Sequence, residues 1–433
     1  MLRDENMRFM LLIYHILFPI GFLLFLPGLL YKLWRRPGWK TTFAERFGHF
    51  SPERRARLAS GRGAIWLHSV SVGETVIALA LLKHYQATYP DHKFVLSTTT
   101  TTGQALARSK APEGVEVIFC PIDFFPFVRR TMTLVQPSLL VILETEIWPA
   151  LIYEAKRVGC SLALVNARMS DRSSRGYYRF RKFFRPLLEE FDLIATQSEA
   201  DAERFRHVSP AAAVVPVGNL KFDQPVPADL QPVDLNRYFG PGPHLILLGA
   251  STHPGEEELI ASVFRNLQPA FPPLRLVLVP RHAERGSEIA AMLQKQSLKF
   301  ARRSREAAAA EPVDCLLADT TGEMLKLMAA ADVVVMGKSL AGQDEGHNLI
   351  EPALLAKPIV TGSVLRNFRF ILQILTEADA VRLVENDDRL QPVLTQLFAD
   401  AAQRRQLGER AYAAVARHAG ATAKVIKLLE ETL

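Results

Sequence analysis

Eight short segments in this 433-residue chain set acidic, basic or hydroxyl residues where an apolar run meets an amphipathic one. In the first, His68-Ser69-Val70-Ser71-Val72-Gly73-Glu74, the small residues and Gly73 suit a tight turn and Glu74 opens the next helix. A carboxylate there either complements the helix dipole or acts as a general base at the mouth of an interdomain cleft. Glu144-Thr145-Glu146-Ile147-Trp148-Pro149 follows the apolar run LLVIL. Two carboxylates after a buried strand are costly unless a base or a cation partners them, and a structural pair with an arginine is the competing reading. Asn166-Ala167-Arg168-Met169-Ser170-Asp171-Arg172 begins a stretch rich in arginine and aromatics. It is either a solvated helix face or a recogniser of carboxylate or phosphate. Lys221, in Gly218-Asn219-Leu220-Lys221-Phe222-Asp223, is placed to neutralise charge on a departing phosphate.

The second half repeats the pattern with different chemistry. Ser251-Thr252-His253-Pro254-Gly255-Glu256-Glu257 offers a capping hydroxyl and free backbone N–H groups for a phosphate oxygen. Pro280-Arg281-His282 brings a cation and a planar surface to a nucleotide, and Thr320-Thr321-Gly322-Glu323 opens another helix. In Gly346-His347-Asn348-Leu349-Ile350-Glu351, Asn348 and Glu351 share one helix face, where a carboxylate can accept from vicinal ribose hydroxyls. No GxGxxG follows any predicted strand, which removes the main argument for a nicotinamide or flavin enzyme. Gly337-Lys338-Ser339 resembles the end of a phosphate-binding loop, but Asp332 stands where that motif needs glycine.

Such junctions need elements to hold them. AIWLHSV, KFVLSTT, LLVILET and LALVNA each precede a helix-like stretch, and HLILLGA, LRLVLVP, VDCLLAD, ADVVVMG and KPIVTG do so again later. That alternation predicts parallel strands with crossover helices in doubly wound sheets, where ligands sit at the carboxyl ends of strands. Between the two series, residues 224–243 hold five prolines and two glycines and read as a linker. The predicted domains are therefore 41–223 and 244–433, preceded by an anchor and basic segment over 1–40.

The anchor rests on the run from Phe9 to Tyr31, which contains no Asp, Glu, Lys or Arg. About 20 residues suffice to cross a bilayer, although Pro19, Pro27 and Gly21 also suit a kinked segment lying in one leaflet. From Lys32 to Arg62 nine basic residues face two acidic ones. The positive-inside rule then places the rest of the chain in the cytoplasm, beside anionic lipid or an acidic substrate. Cys120, Cys160 and Cys315 are scattered without metal-ligand spacing, so neither a zinc site nor a disulfide framework is expected, and no nucleic-acid partner is expected.

HSVSVGE, ETEIWP, NARMSDRS, GNLKFD, STHPGEE, PRHAER and GHNLIEPA, in that order, resemble the 3-deoxy-D-manno-octulosonic acid (Kdo) transferases of lipopolysaccharide biosynthesis, as does WRRPGWKTTFAERFG before them. The resemblance implies a GT-B glycosyltransferase of two Rossmann-like domains with an N-terminal membrane-anchor helix. It also implies CMP-Kdo as donor, a lipid A precursor (lipid IVA) as acceptor, inversion without a metal or other cofactor, and a place on the inner membrane facing the cytoplasm. Carried over by motif, Glu74 is the general base, and Glu144 and Lys221 stabilise the transition state. Pro280, Arg281, Thr321, Gly322, Glu323, Asn348, Leu349, Ile350 and Glu351 bind CMP. Two departures stand out: Glu345 replaces the first of two glycines before His347-Asn348, and Ala150 replaces asparagine after Trp148-Pro149. Other GT-B enzymes, such as UDP-sugar transferases or epimerases, and a non-catalytic tethered binding protein are the rival readings; the anchor argues against an epimerase.

Overall fold

In the computed structural model, residues 14–16, 18–19, 21, 43–223, 226–227, 229–305 and 311–432 are described. They form two compact units, Met1–Gln224 with Ala419–Leu433, and Pro225–His418.

The first unit carries strands β1 (Ile65–Ser69), β2 (Phe94–Thr98), β3 (Val115–Phe119), β4 (Leu139–Leu143), β5 (Ser161–Ala167), β6 (Leu193–Thr196) and β7 (Val214–Pro216). They pair in parallel in the order β3-β2-β1-β4-β5-β6-β7. Alternate residues along each strand feed two cores, one holding Trp66, Leu140, Ile142 and Leu164, the other Leu67, Val141, Leu143 and Val165. This double burial explains the unbroken apolar runs. Local signals start the helices: Ser71 caps Val72–Thr88 in a full capping box with Glu74, and Thr100, Ser170 and Ser198 each accept a backbone N–H at a helix start.

The second unit repeats the plan with β8 (Leu245–Thr252), β9 (Leu274–Pro280), β10 (Phe300–Arg302), β11 (Cys315–Leu317), β12 (Val333–Met336), β13 (Ile359–Gly362) and β14 (Arg382–Val384). The order is β10-β11-β9-β8-β12-β13-β14, all parallel. In each sheet the chain leaves its first strand toward one edge and later returns to that strand's other side. Neighbouring loops therefore diverge there and open a crevice at the strand ends, between β1 and β4 and between β8 and β12.

One expectation changes, and another falls mostly outside the described residues. The predicted second domain over 244–433 ends earlier, because the last helix, Ala421–Glu430, returns to the first unit. Its apolar stripe of Ala421, Val425, Ile426 and Leu429 packs into that unit's core with Leu67, Leu96 and Ala195, and Asp223 receives the backbone N–H groups of Gly420 and Thr422. Most of the predicted anchor, Phe9–Tyr31, lies outside the described residues; those described within it are helical. Among the described residues no helix is long and apolar enough to cross a membrane.

Candidate active site

Glu74 and Glu144 come from the loops after β1 and β4, the two strands at the first unit's crevice. Glu74 is almost fully buried. Its Oε2 accepts from the backbone N–H of Val70 at 2.6 Å, and its Oε1 from the hydroxyl and backbone N–H of Ser71 at 2.6 and 3.3 Å. Helix capping and a fixed carboxylate are thus one arrangement, and the two readings of Glu74 do not exclude each other.

Glu144 sits in the left-handed region at φ 55°, which a non-glycine residue holds only when its surroundings impose it. Its backbone N–H is fixed to the carbonyl of Val165 at 2.9 Å. Lys221 Nζ donates to Glu144 Oε1 at 2.9 Å, and the Arg168 guanidinium stands 3.5 Å from Oε2. So the carboxylate has both a lysine and an arginine partner, and Lys221 is committed to Glu144 rather than standing free for a phosphate. A register shift in β5 beside Asn166, itself at φ 58°, aims this region. Asn166 Oδ1 accepts from the backbone N–H of Leu220 at 3.0 Å, which ties the Lys221 turn to the sheet. Thr145 hydrogen-bonds the backbone of Arg168 and so fixes the second partner.

Glu146 is the strained member of the group. Burial, then the charges of Glu74 and Glu144, push its carboxyl up to about 7, against the opposing influence of Trp148. His68 lies beneath, fully buried, its Nδ1 2.8 Å from Ser97 Oγ and its ring edge-on to Trp148 at 6.3 Å. Burial pushes it down to about 4, so it is a neutral core ring and not an acid–base group at neutral pH.

In the second unit the loops after β8 and β12 cross closely. A Cβ on Gly337 would lie 2.3 Å from the carbonyl oxygen of Ser251, so only glycine fits. The buried Glu256 holds the crossing together. Its carboxylate accepts the backbone N–H groups of His253, Lys338, Ser339 and Leu340 at 2.8 to 2.9 Å. His253 Nε2 and His347 Nε2 are 3.1 Å apart, so one ring donates to the other. Burial, then His253, Arg281 and Lys338, push His347 down to about 4; burial, then Lys338 and His282, lower His253. Glu345 neutralises Lys338 at 2.7 Å and accepts from Asn367 Nδ2 at 3.2 Å, so the unusual carboxylate is an internal counter-ion.

The residues carried over for CMP divide by position. Pro280 ends β9, and the Arg281 backbone N–H is fixed to Thr252 O at 3.0 Å, which puts Arg281 beside the histidines. Glu351 is largely buried, its carboxyl raised by that burial and held back by Arg281. Asn348 Oδ1 caps the backbone N–H of Ile350 at 3.1 Å, and Leu349 and Ile350 are core residues. Thr321, Gly322 and Glu323 follow β11, beside β9. Glu323 is occupied by Arg303 at 2.7 Å and by the Thr320 hydroxyl at 2.6 Å, leaving the exposed backbone of Thr321 and Gly322 as the part open to a ligand. The sequence singled out neither the His253–His347 pair nor Lys338 as a cation; His253 directly after β8 and His347 just before the helix Ile350–Leu354 were the available signal.

The family model for 3-deoxy-D-manno-octulosonic-acid transferase (kdotransferase) matches residues 41–224. A 3-deoxy-D-manno-octulosonic acid transferase of Haemophilus influenzae is 30% identical over 92% of this chain and 93% of its own length. The Bordetella pertussis transferase of the same description is 33% identical over 93% of this chain and 95% of its own. A solved glycosyltransferase from Rickettsia africae superposes with a TM-score of 0.59 at 11% identity, covering 86% of this chain and 98% of that one, a likeness of fold that with the two parallel sheets makes this a two-domain GT-B architecture. With two such relatives matched over nearly their whole length, this chain belongs to the 3-deoxy-D-manno-octulosonic acid transferase family.

Proposed function

We propose that the protein moves Kdo from CMP-Kdo to the lipid A precursor lipid IVA, with the first unit supplying the acceptor-side chemistry and the second holding the nucleotide. The observation that carries this reading is the group at the first crevice: Glu74 fixed by Val70 and Ser71, and Glu144 paired with Lys221 at 2.9 Å. Glu74 takes the proton from an acceptor hydroxyl as that oxygen bonds to the anomeric carbon. The bond from that carbon to the phosphate oxygen breaks on the opposite face, so configuration inverts and CMP departs with its electron pair. The transition state is oxocarbenium-like, and a carboxylate held ionised by Lys221 and Arg168 favours the positive charge that develops. The second unit's cations and N–H groups, with Arg281 and Lys338 beside the two imidazoles, favour the phosphate. The uncharged run Phe9–Tyr31 serves as the anchor that keeps the protein at the cytoplasmic face of the inner membrane, where a lipid acceptor lies.

The test is transfer from CMP-Kdo to a tetraacylated lipid A precursor in micelles, with products resolved by mass, using Glu74→Gln beside the parent chain. Glutamine keeps an acceptor for the capping box but no basicity, so turnover falls by about 10²- to 10⁴-fold while the fold is retained. A folded Glu74→Gln protein with parental turnover removes Glu74 from the reaction.

A further inference from the structure

Of the five described arginines before β1, Arg46, Arg54 and Arg57 are absorbed by the fold. Arg54 and Arg108 pair with the buried Glu45, Arg57 with Glu116, and Arg46 donates to Thr99 O while lying over Phe119. Arg62 and Arg55 are the exceptions, both exposed and neither in an ion pair with a described residue, and of the two only Arg55 borders a cavity. It lines a cavity of about 580 Å³ together with Arg129, Arg130 and His49, over an apolar floor that includes Phe125 and Leu134. Among the described residues no carboxylate lines this cavity. Arg129 is balanced by the buried Glu154 at 3.3 Å and stacks on the Phe125 ring at 3.7 Å. Arg130 reaches only the Phe47 carbonyl at 3.4 Å and a ring nitrogen of His49 at 3.2 Å. Two guanidinium groups therefore face the cavity without an anion.

Described residues of the N-terminal apolar run lie against Phe125 of the cavity and its neighbours Asp123 and Phe124. The Tyr14 hydroxyl donates to Asp123 Oδ2 at 2.8 Å, the His15 ring meets Phe125 at 5.6 Å, and Phe18 stacks on Phe124 at 6.2 Å. Asp123 in turn accepts the backbone N–H groups of Ala150 and Leu151, so this attachment is built into the domain. An unneutralised cation pair over an apolar floor, continuous with a segment free of charged residues, matches an amphiphile that carries a phosphate above acyl chains.

We propose that this cavity binds the phosphate of an anionic phospholipid headgroup, with Arg55 and Arg130 as the anion-binding residues and Phe125 and Leu134 against the adjoining acyl chain. The site is separate from the transfer chemistry, and its test reads binding and not turnover. Full-length protein in a neutral detergent is titrated with short-chain phosphatidylglycerol, short-chain phosphatidylcholine and inorganic phosphate, and adducts are counted by native mass spectrometry. The expected result is one saturable phosphatidylglycerol per chain, with no comparable adduct from the other two.

Arg55→Ala with Arg130→Ala weakens that adduct on the order of 100-fold, about tenfold for each charge-assisted hydrogen bond removed. Thr133→Trp fills the cavity mouth without changing charge and abolishes the adduct as well, whereas Arg405→Ala, an exposed charge in the other unit, leaves it intact. Equal binding of both phospholipids overturns the proposal in favour of apolar adsorption, and parental binding by Thr133→Trp overturns it in favour of diffuse surface charge. Saturation by inorganic phosphate alone overturns it in favour of a free-anion site. A raised KM for the acceptor in the arginine variants, measured in phospholipid-free micelles, reassigns the cavity to the acceptor and overturns it too.

Discussion

Replacing Glu146 by glutamine should stabilise the first unit, and only at neutral to alkaline pH. In the folded chain its carboxyl titrates near 7 against an ordinary 4.5, because it is half-buried beside Glu74 and Glu144. Between those two values the native state keeps a proton that the unfolded chain has released. Stability therefore falls as pH rises through that window, and the loss is complete above about 7. A displacement of about 2.5 pH units corresponds to ~3.4 kcal/mol, and screening by the solvent that still reaches the group reduces this to about 1–2 kcal/mol. Glu146→Gln removes the titration, so the variant should exceed the parent by about that amount near pH 8 and match it near pH 4.5. All four tryptophans, Trp34, Trp39, Trp66 and Trp148, precede the linker, so tryptophan fluorescence during urea unfolding reports on this unit. A gain of the same size at both pH values would show ordinary packing in place of charge repulsion, and a loss near pH 8 would refute the reasoning outright.

Lys221→Met removes the cation nearest Glu144 and leaves only the more exposed Arg168, so kcat should fall by about 10²- to 10³-fold while calorimetric CMP affinity is unchanged. Unchanged kcat would remove the pair from the transition state. Glu256→Ala leaves four N–H groups, two of them fully buried, without their acceptor, and the second unit should lose about 3–5 kcal/mol in denaturant titrations followed by circular dichroism. A loss under about 1 kcal/mol would mean that the loops find other partners. Burial, and after it the neighbouring cations, hold His347 near 4; a bound phosphate offsets the cations and draws it part of the way back up, so CMP binding should take up protons and weaken as pH rises through that window. Titration calorimetry in buffers of different ionisation enthalpy measures that uptake, and an affinity independent of pH contradicts it.

Much of this arrangement could be read from local signals. The strand-to-helix alternation placed the junctions that carry Glu74, Glu144, Arg281, Thr321 and Glu351, because parallel strands buried on both faces leave apolar runs, whereas the short strand before Lys221 left no such run. Pairings across the sheet are another matter. Arg168 and Lys221 stand far from Glu144 in sequence and reach it only because β5 lies beside β4 and Asn166 ties in the Lys221 turn. The sequence carries the need for a cation and not the address of the one that answers. The return of Ala421–Glu430 was hidden for a related reason: an amphipathic stripe states that it will be buried without stating by which sheet.

The two crevices share a topology and differ in sign, and that difference bears on their division of labour. At the first, three carboxylates, Glu74, Glu144 and Glu146, stand against Lys221 and Arg168, and their charge adds to burial in raising Glu146. At the second, Arg281, Lys338 and three histidines stand against Glu345 and a largely buried Glu351, and the cations add to burial in lowering His253 and His347. These signs accord with the proposed division of labour, in which an anionic sugar nucleotide is drawn to the second field and a neutral hydroxyl loses its proton at the first. Glu345 tempers the second field by occupying Lys338, so a donor bearing a phosphate must compete with an internal carboxylate for that lysine. The competition makes Lys338 a conditional cation, available when a stronger anion arrives and neutralised when none is present.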